Sequence, residues 1–225
     1  MHTAHNVAYE HIETELNMCI DSDDCLADDA VNSLLSFWNQ IRSCGYAGII
    51  GLDADMHGNL IGKGFPSGIK ETTLSSYYAT GGSGDKKLVY RTDVIRQYPP
   101  YPVFPNEKYV ALAYKYLLID QEYKLATLNQ VLCLVEYQAD GSSNTMWKQY
   151  IRNPQGFAFW RTIQARYSTS AFQLFKNTIH YCSSKIIASQ QGKSVDPYPY
   201  TALASICHPL GWLLTKIIKH KAKSN

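Results

Sequence analysis

No two of the six cysteines, at 19, 25, 44, 133, 182 and 207, form a Cys-x-x-Cys pair or a zinc-like spacing, so nothing in them points to zinc. Cys19 and Cys133 lie in apolar, strand-like runs, where a buried free thiol is the default. A reducing cytoplasm is the simplest setting for them. Met1-His2-Thr3-Ala4-His5 has no basic region leading into an apolar stretch, so no secretory leader is expected. Basic charge is not in excess: a formal net charge of +2 gives no case for nucleic acid, which needs a basic patch or stripe. No internal repeat is visible.

Calcium-binding loops are missing too. An EF-hand loop needs Gly at its sixth position and Glu at its twelfth. Counted from Asp21 those positions hold Leu26 and Asn32. Counted from Asp53 they hold Gly58 and Gly64. The second stretch lies between two β-like runs, so a tight turn closed by His57-Gly58-Asn59 accounts for it better.

At 225 residues, 45% apolar and 18% charged, the chain can form one substantial domain, or a domain with an extension. The aromatics tilt to Tyr, 17 against 7 Phe and 4 Trp, which is compatible with hydroxyl-bearing ligands without requiring them. Periodicity predicts a short helix over 4–11, a strand over 15–20 and an amphipathic helix over 28–42 with Val31, Leu34, Leu35, Trp38 and Ile41 on its apolar face. A hairpin-like pair at 46–52 and 59–62 follows, then a helix over 72–79, a strand over 87–90 and a short helix capped by Thr92-Asp93. A helix over 108–118 and β-like runs at 122–128 and 130–137 close the first part. Beyond Gly141 the pattern is helical, over 143–151, 155–167, 169–190 and 200–220.

The stretch that organises the rest is Leu16-Asn17-Met18-Cys19-Ile20 followed by Asp21, Asp23 and Asp24, with Asp28-Asp29 opening the next helix. In open α/β sheets ligands bind in the crevice beyond the carboxyl ends of strands. Carboxylates this dense repel one another unless a cation or a phosphate-bound metal neutralises them. A solvated acidic loop with Asp24 or Asp28 as N-cap fits the same residues.

Ile20-Asp21-Ser22-Asp23-Asp24 resembles the Asp-x-Asp segment of the family 2 glycosyltransferases with the GT-A fold. His2-Thr3-Ala4-His5-Asn6-Val7-Ala8 is similar to that family's segment ending in Ala-Arg-Asn-x-Gly, one helix upstream. Gly84-Asp85-Lys86-Lys87-Leu88-Val89-Tyr90-Arg91-Thr92 and Phe104-Pro105-Asn106-Glu107-Lys108 look like later parts of a bacterial polysaccharide-type subgroup. The resemblance covers residues 1 to about 150. It implies an α/β, GT-A-like mixed sheet flanked by helices, with a catalytic and acceptor part over 1–150 and a helical C-terminal extension over 151–225. The implied reaction is inverting transfer of a sugar from a nucleotide-diphosphate donor to a saccharide or lipid-linked saccharide acceptor in cell-surface polysaccharide synthesis. The implied cofactor is a divalent cation, manganese or magnesium.

By the same resemblance Asp23 is the direct metal ligand, Asp21 contacts ribose or supports the metal, and Asp24 stands behind them. In an extended segment Asp21 and Asp23 would face one way and Asp24 the other. Glu107 is the implied general base, although a Glu at a helix start is also explained by the helix dipole. Many members have a second acid next to it, where this chain has Lys108. A third ligand, often His, is absent from Glu136-Tyr137-Gln138-Ala139-Asp140-Gly141-Ser142-Ser143. Asp140 is the oxygen ligand available there, although an Asp-Gly turn is the simpler reading of it. His5 and Asn6 face the donor, or are plain surface positions of the first helix. The family's nucleotide-binding strands would precede His2, so the chain is expected to be a fragment, or an inactive remnant or partner subunit, holding a nucleotide only weakly.

Leu203, Ile206, Cys207, Leu210, Leu213, Leu214 and Ile217 recur at helical spacing before Lys216, Lys219, Lys221 and Lys223. Residues 200–223 therefore suit either an anionic membrane surface, from the cytoplasmic side, or a terminal helix covering the core.

Overall fold

A computed structural model describes residues 1–137 and 145–224. The chain forms two compact units: Val7–Pro99 with Lys115–Gln138, and Met1–Asn6 with Pro100–Tyr114 and Ala139–Asn225. The division is not a single cut near residue 150, because the helical unit also takes in the N-terminus and the 100–114 segment.

The first unit is built on a mixed sheet of β1 (Leu16–Met18), β2 (Cys25–Leu26), β3 (Gly48–Asp55), β4 (Glu71–Thr72), β5 (Lys86–Arg91) and β6 (Leu125–Val135). Its order is β1-β5-β3-β6-β2, with β4 also pairing β6. β5 runs antiparallel to both β1 and β3, and β3 runs parallel to β6. Thus β1, β3 and β6 all point the same way. β3 is the central strand, buried from Gly48 to Ala54, and it must start with a glycine: a Cβ on Gly48 would lie 1.9 Å from the Val89 carbonyl oxygen.

Helix α2 (Ala30–Ile41) lays Ala30, Leu34 and Trp38 against Ile49, Val89 and Leu132. Its buried stripe is narrower than the sequence suggests, since Val31 and Leu35 are exposed. Gly45 ends the following turn in the left-handed conformation, φ 78°, as expected of a helix-terminating glycine. Two short helices follow. In α3 (Leu74–Ala79) the Thr73 side chain caps by accepting from the Ser76 N–H, and α4 (Thr92–Ile95) starts directly after β5.

Three expectations change. The 46–52 run is more than half of a hairpin: β3 pairs mainly with β5 and β6. It meets the next run only briefly, at the Ala54–Leu60 bridge, where the Ile61 N–H donates to the Asp53 carbonyl and the Asp55 N–H to the Asn59 carbonyl, both at 2.9 Å. The runs at 122–128 and 130–137 are one strand. Asn129 does not interrupt it, because its side chain pairs with both the N–H and the carbonyl of Phe65, at 3.1 and 2.9 Å. The helix expected over 108–118 is α5 (Ala113–Ile119). The N–H groups of Lys108 and Tyr109 donate instead to Asn153 Oδ1, at 2.7 and 3.2 Å, which holds that segment out of a helix.

The second unit is helical, as the sequence suggests: α6 (Met146–Arg152), α7 (Pro154–Arg166), α8 (Ala171–Gln190) and α9 (Thr201–Ser224), together with the start of α1 (His2–His11). Ala158, Ala165, Tyr181, Cys182, Tyr198 and Cys207 form its core. Tyr198 stacks on Tyr181 at 4.3 Å, and its hydroxyl is satisfied by Thr178 at 2.9 Å, as a buried Tyr requires.

Candidate active site

The register sets which residues meet. Leu52 of β3 faces Lys86 of β5, Asp53 faces Cys133 of β6, and Met18 of β1 faces Val89 of β5. The carboxyl ends of the three parallel strands therefore lie beside the start of β5, where Asp85, Lys86 and Lys87 enter.

The acidic stretch after β1 is not extended. β1 ends at Met18, and Asp21–Asp24 closes a turn in which the Asp24 N–H donates to the Asp21 carbonyl at 3.0 Å. Asp24 moors the turn to β6: its Oδ1 accepts from the Glu136 N–H at 3.2 Å, and its Oδ2 lies 4.0 Å from Cys133 Sγ. Asp21 and Asp23 stay exposed, with Asp21 Oδ1 at 3.9 Å from Cys19 Sγ. Lys87 Nζ reaches the Cys19 carbonyl at 3.4 Å. On the other side Tyr137 donates to Asp85 Oδ2 at 2.8 Å.

Asp53 is the residue that spacing did not single out for chemistry. It is 2% exposed, and its Oδ1 has no hydrogen-bond partner among the described residues. Burial pushes its carboxyl up to about 6, against the pull of Lys87, while Asp85 and Asp24 push the same way as burial. For Lys87, burial favours the neutral amine, but Asp53, Cys133 and Asp24 outweigh it and hold the ammonium above its ordinary range. One signal was present: a lone acid inside Gly48–Ala54, a run otherwise apolar or glycine. Asp55, two residues on, has a structural task. It accepts from the His57 and Asn59 N–H groups at 2.9 and 2.8 Å and closes the expected tight turn.

The remaining sequence-derived candidates belong to the helical unit or to undescribed residues. Glu107 is buried and fully engaged. Oε1 accepts from the Gln155 N–H at 3.1 Å and Lys193 Nζ at 2.8 Å, and Oε2 accepts from the Gly156 N–H at 2.9 Å. It therefore caps α7, not the helix that follows it in sequence. Asn6 is tied to Tyr101, donating to its carbonyl at 2.9 Å and accepting from its N–H at 2.8 Å. His5 is buried edge-on to the Tyr101 ring at 6.1 Å, so neither is a plain surface position. Asp140 lies outside the described residues. Among the described residues no three His, Cys, Asp or Glu side chains converge to hold a metal ion.

The chain is thus a mixed α/β protein whose sheet is flanked by helices, with an ionisable cluster at the carboxyl ends of its parallel strands. That is where such sheets bind ligands, and perturbed carboxyls gather at such sites. No family model matches the chain, and no curated protein matches it significantly. Among solved structures it is similar to S. aureus TarS 1–349 in complex with UDP-GlcNAc, at 13% identity and TM-score 0.48, covering 96% of this chain and 71% of that one. The same protein in complex with UDP gives 12% identity and TM-score 0.45, covering 97% and 70%. Likeness at that level assigns neither family nor activity.

Proposed function

We propose that the chain is part of an inverting, nucleotide-sugar-dependent glycosyltransferase, with the Asp21–Asp24 turn at the diphosphate of the donor. The observation that carries this reading is the mooring of the turn, through Asp24, onto β6 beside the buried Asp53 and Lys87. The order of motifs in the sequence supports it. A divalent cation fits the turn only in one mode. No cage of three side chains exists among the described residues, but magnesium-like ions are commonly held by one or two carboxylates, with phosphate oxygens and water in the other positions. Exposed Asp21 and Asp23 would be those carboxylates. Once bound, the cation would neutralise charge on the departing diphosphate. Lys87 holds a fixed positive charge beneath the turn, and Asp24 keeps the turn on the sheet.

A second reading, a chain that holds the donor without turning it over, is favoured by Glu107. A general base needs a carboxylate within reach of the acceptor proton, whereas this one already serves three intramolecular donors. Hydrolysis of UDP-GlcNAc, the ligand seen in TarS, tests the enzyme reading with manganese or magnesium. Turnover should depend on the ion and nearly vanish in Asp23→Asn. Near-normal rates in that variant would exclude the metal role, and binding without turnover would select the second reading.

A further inference from the structure

Helix α9 has two differently used sides. Cys207, Gly211, Thr215 and Ile218 recur at steps of four, four and three and are buried or tightly packed on the α8 side. A Cβ on Gly211 would lie 2.4 Å from that of Cys182, and Thr215 Oγ1 bonds Ser183 Oγ at 2.9 Å. Another stripe, at steps of four, three and four, is left open: Ile206 is 72% exposed, Leu210 43%, Leu213 51% and Ile217 43%. Trp212 is also exposed, with Lys216 Nζ 5.0 Å from its ring centre. The last turns carry Lys219, Lys221 and Lys223, and no acidic residue follows Asp196.

We propose that α9 docks the chain on an anionic membrane surface, with Ile206, Leu210, Leu213 and Ile217 in the headgroup–acyl boundary and the lysines on lipid phosphates. The inference does not depend on the glycosyltransferase reading. Charge decides the occupant. A second copy of the helix would bring the same lysines with no carboxylate on either side to offset them, whereas an anionic leaflet complements them at roughly 1 kcal/mol per lysine. An amphipathic face, basic residues and an exposed Trp are the features of a helix lying in the interface. By length and composition Thr201–Lys223 could also span a bilayer, at mean hydropathy 1.3. Spanning would strip α9 from α8 and expose the buried Cys182 and Ser183 of α8, against which α9 now packs. The helix also carries Pro209 in its interior.

The test is co-sedimentation of the full chain with vesicles of phosphatidylcholine, with or without phosphatidylglycerol, at low and high salt. Binding is expected on the anionic vesicles alone, weakened by salt. Ile206→Ser with Leu213→Ser should lower the partition coefficient by roughly 10-fold or more. Lys221→Gln with Lys223→Gln should lower it roughly 30-fold. Both lysines are exposed, so the second pair decides the matter even if the first perturbs folding. Absence of binding, equal binding to neutral vesicles, or a dimer dispersed by the serine substitutions would overturn the proposal.

Discussion

Asp53 sits where an ionised acid is costly, and the cost has a sign that can be measured. Its folded-state carboxyl, raised to about 6 mainly by burial, binds a proton that the unfolded chain has already released. Stability from that proton is complete below the ordinary carboxyl range, near pH 4, and is lost as pH rises through about 6, by roughly 2–3 kcal/mol. His180 acts in the opposite sense. Burial first, then Arg161 and Lys176, push its imidazole down to about 4. Its contribution is present above about pH 6.5 and is lost as pH falls through 4. The two slopes oppose each other between pH 4 and 6. Asp53→Asn should therefore raise stability at pH 7 by about 1–3 kcal/mol and uncover a steeper acid limb. Urea unfolding from pH 4 to 7 would show it, and superimposable profiles would mean that Asp53 is solvated. Glu107 makes the complementary case. Its partners Gln155, Gly156 and Lys193 are 48 to 86 residues away in sequence, so nothing local could reveal that the carboxylate is occupied. Glu107→Gln removes the charge facing Lys193 and should cost about 2–4 kcal/mol in denaturant unfolding. A free base would show no such loss.

At the scale of elements, the strand–acid–helix order was legible because an apolar run, a carboxylate cluster and a 3.6-residue period are local features. The conformation of the cluster was not. Alternation predicts that Asp21 and Asp23 share a face, but the Asp24–Asp21 backbone bond and the Asp24 contact with Glu136 make it a turn tied to the residue just after β6, 112 positions on. At the proposed metal site, Asp24→Asn keeps the shape but removes the charge that faces the Glu136 N–H, and manganese affinity should fall roughly 10–100-fold. Unchanged affinity would make Asp24 a plain turn residue. Helix α9 gives a second test. Gly211→Ala must push α9 off Cys182 and should cost about 1–3 kcal/mol, read as a lower melting temperature. An unshifted melting temperature would show that the two helices are not in contact there.

For the molecule as a whole, helices in the C-terminal third were expected and found, yet the units interleave in sequence. The reason is again long-range bonding: Asn6 to Tyr101, Asn153 to Lys108 and Glu107 to Gly156 bind distant segments into one helical unit. In the other unit the Asp21–Asp24 turn should bind a metal-chelated diphosphate. Paramagnetic line broadening in the 15N-resolved spectrum tests it most directly, because it detects even weak binding and names the residues involved. Titrating UDP with trace manganese should first erase the amides of residues 21–24 and then those of Asp53, Lys87 and Cys133, whereas Asp21→Asn with Asp23→Asn should spare them. Broadening that begins elsewhere, or that persists unchanged in the double variant, would contradict the site.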